Sequence, residues 1–109
     1  MYTINIMKAD YEGWWLFDDW QEQVIVIYEF SNIDEMLEFY QRLTQQMHTH
    51  FSSYQIGKYN MMTFYNCCDV RYCDDCDDDV QMYVSPVMMY GNETITDETY
   101  YKTENLINF

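Results

Sequence analysis

A chain of 109 residues can bury about two thirds of its unfolded surface around one core, and 49% apolar residues make it globular rather than disordered. Nineteen acids against five bases give a formal net charge of −14, which repels nucleic acid and anionic membrane at long range. Lys8, Arg42, Lys58, Arg71 and Lys102 are scattered singly, so no basic patch assembles and direct duplex binding is disfavoured. A partner with a basic surface, or a metal cation, suits this charge better. No signal-peptide pattern opens the chain, and its longest apolar cluster, Val24 to Tyr28, is far too short to span a bilayer. The expectation is a cytoplasmic protein whose four cysteines stay reduced unless they hold metal or do redox chemistry.

Residues 2 to 7 alternate Tyr2, Ile4 and Ile6 against Thr3, Asn5 and Met7, which predicts a strand. Residues 9 to 22 crowd aromatics and acids without a clean period. Gln23 to Phe30 predicts a second strand, and its apolar run Val24-Ile25-Val26-Ile27-Tyr28 suits an interior strand covered on both faces. Ser31 can cap the next element. Ile33, Met36, Leu37, Tyr40, Leu43 and Met47 then recur at helical spacing, predicting an amphipathic helix to about Met47. Gly57 marks a connection, and Met61 to Tyr65 reads as a short strand. The Cys/Asp segment, residues 67 to 79, reads as a loop leading into a short helical turn that carries Val80, Tyr83 and Val84 and ends at Ser85-Pro86. Val87 to Tyr90 and Glu93 to Ile95 flank Gly91-Asn92, a two-residue hairpin signal. From about residue 97 the tail is polar, though Leu106, Ile107 and Phe109 could dock loosely. The expected fold is one α+β domain over residues 1–109, a small, mostly antiparallel sheet with one long amphipathic helix packed on a face.

Chemistry concentrates in two places. Cys67, Cys68, Cys73 and Cys76 fall within ten residues, but only Cys73 and Cys76 have the CxxC spacing of half a zinc site. Six aspartates between residues 69 and 79 would dull a thiolate nucleophile and favour a divalent cation, so zinc at Cys73 and Cys76 is more plausible than thioredoxin-like chemistry. The bland alternative is a solvated acidic loop with incidental cysteines. An EF-hand template begun at Asp75 fails, with Val80 where glycine is needed and Pro86 where glutamate is needed. His48 and His50 fall where the helix should end and suit a capping or surface role.

The second place is Asp10 to Trp20, with three tryptophans and four acids. It could form an aromatic cage for a cationic ligand, or a partner-binding surface centred on Glu12, Trp14, Trp15 and Trp20. Alternatively, the spacing of three puts Trp14, Phe17 and Trp20 on one buried face that covers the sheet. Nucleophile elbow, phosphate loop and zinc-protease helix are all missing from the sequence.

Two stretches carry a family resemblance. Lys8-Ala9-Asp10-Tyr11-Glu12 with Trp14-Trp15, Phe17 and Trp20, and Cys73-x-x-Cys76-Asp77-Asp78-Asp79-x-Gln81-x-Tyr83, resemble the two signatures of a small Gram-positive bacterial family, domain of unknown function 1033 (DUF1033). The resemblance implies a small cytoplasmic bacterial protein with no established activity, some relatives of which carry a DNA-binding label. The chain departs from the pattern at three positions: Val84-Ser85 stand where a His-Gly pair is common, and Gly13 replaces a common proline.

The functional expectation is a non-enzymatic, acidic protein-interaction or regulatory domain that needs no cofactor. Its contacts would be the Trp-rich loop and the acidic CxxC loop, and its partner another protein with a basic surface. The alternatives are a zinc-binding domain through Cys73 and Cys76, or a DNA-associated protein acting indirectly or as an acidic decoy for a basic protein.

Overall fold

The computed structural model describes residues 1–66, 70–73 and 78–101. Strand β1 (Tyr2–Ala9) is central, with β2 (Val24–Phe30) on one side and β7 (Tyr83–Tyr90) on the other. β7 pairs in turn with β4 (Met62–Tyr65), and β4 with β3 (Ser53–Ile56). With β8 (Glu93–Thr94) paired to β7, the sheet has six strands, every pair of them antiparallel. A separate hairpin joins β5 (Val70–Cys73) to β6 (Asp78–Gln81). One helix, α1 (Ile33–His50), completes an α+β architecture.

Helix α1 begins one residue later than Ser31 predicts. Asn32 is the N-cap, accepting from the Glu35 N–H at 2.9 Å, while the Ser31 hydroxyl donates to the Glu35 carboxylate at 3.3 Å. The helix buries Met36, Tyr40, Thr44 and Met47, a spacing of three and four that presents one stripe to the sheet. Thr44 satisfies its buried hydroxyl by donating back to the Tyr40 carbonyl at 2.9 Å.

Alternation along β4 fixes the layers. Phe64 packs against His48 and Phe51 of the helix side, while its neighbour Thr63 meets the Ser85 hydroxyl at 2.7 Å on the opposite face. Ser85 also accepts from the Gly13 N–H at 3.0 Å, so the loop joining β1 to β2 covers that second face. The sheet lies between α1 and the tryptophan loop.

Two expectations are overturned. The short helical turn after the Cys/Asp segment is replaced by β6 and β7, with Ser85-Pro86 in the middle of an eight-residue strand. Proline is tolerated because its missing N–H falls on the outer side of β7. Met88, two residues on and so facing the same way, directs its N–H outward to the Tyr101 hydroxyl, and among the described residues no strand is registered against Pro86 on that side. The second correction is β2, an edge strand rather than an interior one. β1 pairs with one side of it, and among the described residues no strand pairs with the other. The Gly91-Asn92 hairpin is present, with positive φ at Gly91 alone of the pair, the pattern of a turn with glycine in its first central position.

Candidate functional site

The loop after β1 is built from two single 3-10 turns, Gly13–Trp15 and Trp20–Gln23. Leu16 closes the first in the left-handed region (φ 50°), which breaks any continuous helix through the segment. That break separates the aromatic residues. Trp14 and Trp20 turn inward, 8% and 6% exposed, while Trp15 and Phe17 turn outward, 48% and 50% exposed. The spacing of three therefore misplaces Phe17, and the three indoles do not converge on a cage.

Trp14 packs against a second turn. A Cβ at Gly57 would sit 2.3 Å from its ring, so only glycine lets the backbone lie flat on the indole. Gly57 opens the 3-10 turn Lys58–Asn60, and that turn places Lys58 Nζ over the Trp15 ring, 5.0 Å from its centroid. At the edge of the ring Trp15 Nε1 donates to Glu12 Oε2 at 3.1 Å. Tyr11 meets Phe17 edge-on at 4.8 Å, and Tyr83 meets Tyr65 at 5.3 Å. Burial pushes both Tyr11 and Tyr83 above the ordinary phenol range. The carboxylates of Asp19 and Asp10 add to the shift at Tyr11, and Glu12 and Tyr65 add to it at Tyr83.

Of the residues expected at the site, Glu12 and Trp15 meet on the loop's outer side, whereas Trp14 and Trp20 support it from inside. Lys58 was missed. In sequence it is one of five scattered bases, and only its position after Gly57 hints that it sits in a tight turn. The acidic CxxC loop lies beyond reach: Cys73 ends β5 opposite Asp78, but its side chain and all of Cys76 fall outside the described residues, as do Cys67 and Cys68. Among the described residues no group of three His, Cys, Asp or Glu side chains is placed to hold a metal. His48 instead packs against Tyr54 at 4.4 Å, and His50 against Phe51 at 5.7 Å. No helix among them is long and apolar enough to cross a membrane.

The family model described as a protein of unknown function, DUF1033, matches residues 1–108. The chain belongs to the DUF1033 family. No curated protein and no solved structure matches it. Within this DUF1033 chain, two of the departures noted in the sequence prove to be neighbours in space. A Cβ at Gly13 would fall 2.4 Å from Ser85 Cβ, so a larger residue at one position demands a smaller one at the other.

Proposed function

We propose that this protein is a non-enzymatic domain that binds another protein through the outer side of the tryptophan loop. Trp15 carries the reading: nearly half exposed, its indole is nevertheless held by the Glu12 carboxylate at its N–H edge and the Lys58 ammonium over its face. An aromatic ring already held in one orientation loses little freedom on binding, which is how tryptophans come to dominate contact energies. Phe17 extends the apolar surface, and Glu12 and Lys58 form a polar rim around Trp15. Trp14 and Trp20 act as its foundation. With a net charge of −14 the domain suits a basic, cytoplasmic partner, and association should weaken as salt rises.

The test replaces Phe17 with a photo-reactive phenylalanine analogue in living cells and compares adducts with those from the same probe at exposed Thr96. The reading expects one discrete protein adduct at 17. Adding Trp15→Ala should reduce it about thirtyfold, the effect of losing roughly 2 kcal/mol at a hot spot, while the fold melts within a few degrees of wild type. An adduct indifferent to Trp15→Ala, or none above the Thr96 control, would contradict it.

A further inference from the structure

We propose that the hollow beside the Gly91-Asn92 hairpin binds a small organic cation, an alkylammonium group held by tyrosine rings and carboxylates. The reading stands apart from the tryptophan loop. Val84 pairs with Phe64, which faces the helix, and Tyr90 follows Val84 by an even number of residues, so the hollow opens on the helix face of the sheet.

The hollow measures about 360 Å³, within the range of small-molecule sites. Its walls come from three places in the chain. Tyr2 and Tyr90 are registered opposite each other on β1 and β7, and their rings meet at 4.7 Å with a 46° tilt. β8 brings Glu93, which is registered against Tyr90. The segment after β8 adds Ile95, Asp97 and Tyr100. That segment is braced by the fold itself. The Ile95 N–H donates to the Met88 carbonyl at 2.9 Å, the Tyr101 hydroxyl to the Ile95 carbonyl at 2.7 Å, and the Tyr100 N–H to the Asp97 carbonyl at 3.1 Å. A site with ordered walls loses little freedom when it binds.

The lining selects the charge of the ligand. Tyrosine faces carry negative potential and attract cations, and both charged residues of the hollow are acids. Thr99 donates to Asp97 Oδ1 from its hydroxyl at 2.7 Å and from its N–H at 3.0 Å, which holds that carboxyl below its ordinary range and so charged at neutral pH. No base lines the hollow to balance the two acids. Arg42 lies against Glu38 at 3.7 Å, Lys58 lies over Trp15, and Lys8 is at the far end of β1 from Tyr2. A bare metal ion is the poorer fit, because among the described residues no three His, Cys, Asp or Glu groups converge to ligate one. Ring faces and the Ile95 side chain suit instead a cation with methylenes behind its charge. A free amine and the lysine side chain of another protein both carry that group.

The test is an amide NMR titration of the full chain with cadaverine, with N-acetyl-lysine methylamide, and with pentanol as the uncharged control. The proposal expects saturable shifts from both amines at Tyr2, Tyr90 and the segment from Glu93 to Tyr100, with a dissociation constant on the order of 1 mM, and none from pentanol. Tighter binding of cadaverine makes the ligand a free amine, and tighter binding of the lysine amide makes it a protein side chain. Glu93→Gln and Tyr90→Leu, both at exposed positions, should each weaken binding about fivefold and leave the rest of the spectrum unchanged. Shifts that spread over the acidic surface without saturating overturn the proposal. So do equal shifts from pentanol, or an unchanged affinity in either folded variant. Lys102 lies just beyond the described residues, so Lys102→Gln is titrated as well. Amine binding that emerges only in that variant would give the hollow to the chain's own lysine and overturn the proposal too.

Discussion

Gly13 and Ser85 occupy one small space from opposite sides, and the backbone there has no objection to a larger residue. Glu12 lies at φ −70°, ψ 136°, the extended conformation that precedes proline comfortably, and residue 13 opens a 3-10 turn, where a fixed φ near −65° is suitable. The obstacle is Ser85 alone. Gly13→Pro should therefore destabilise the domain by about 1–3 kcal/mol through overpacking and loss of the hydrogen bond to Ser85. Ser85→Gly in the same chain should recover much of that loss, giving a coupling of at least about 1 kcal/mol in a double-mutant cycle read by urea denaturation. Additive effects would show that the two positions do not share the space. Neither the contact nor its size limit is visible from the sequence, because residues 72 positions apart carry no local pattern that links them.

At the scale of elements, legibility followed periodicity. Helix α1 could be read because Met36, Tyr40 and Met47 repeat at three and four over eighteen residues, long enough for the 3.6-residue period to stand out. The segment around Tyr83 to Tyr90 could not. A short apolar run containing proline fits a helix end as well as a strand, and the decision comes from β1 and from Tyr101, both distant in sequence. Tyr101 closes the outer side of β7 where strand pairing stops. Its hydroxyl accepts from the Met88 N–H at 2.9 Å and donates to the Ile95 carbonyl at 2.7 Å. The hydroxyl of Tyr40, whose ring packs edge-on against Tyr101 at 5.8 Å, is buried with no hydrogen-bond partner among the described residues. The two hydroxyls predict opposite outcomes. Tyr101→Phe strands the buried Met88 N–H and the part-buried Ile95 carbonyl and should cost about 1–3 kcal/mol, whereas Tyr40→Phe removes an unsatisfied group and should be neutral or stabilising. Urea midpoints of the two variants decide this, and equal losses would refute the assignment. β2 belongs to the same lesson from the other direction: its apolar pattern was legible, but composition does not say whether a strand lies inside the sheet or at its edge.

For the molecule as a whole, the layered build explains why the candidate site sits where it does. The helix takes one face of the sheet, and the other is left to a loop with no regular element long enough to supply a core stripe. Trp14 and Trp20 provide that cover, and Trp15, between them in sequence, is turned out by the 3-10 geometry and the left-handed Leu16. The sequence showed that the loop was aromatic and acidic. It could not show how the burden was divided, because two separate turns have no common period. That division, two indoles as anchors and one presented to a partner, is what the functional reading rests on. It can be measured by acrylamide quenching of tryptophan emission in wild type and in Trp14→Phe, Trp15→Phe and Trp20→Phe. One readily quenched component should be present in wild type, persist in the Trp14 and Trp20 variants, and vanish in Trp15→Phe alone. Uniform quenching of all three indoles, or a Trp15 as protected as its neighbours, would contradict the account.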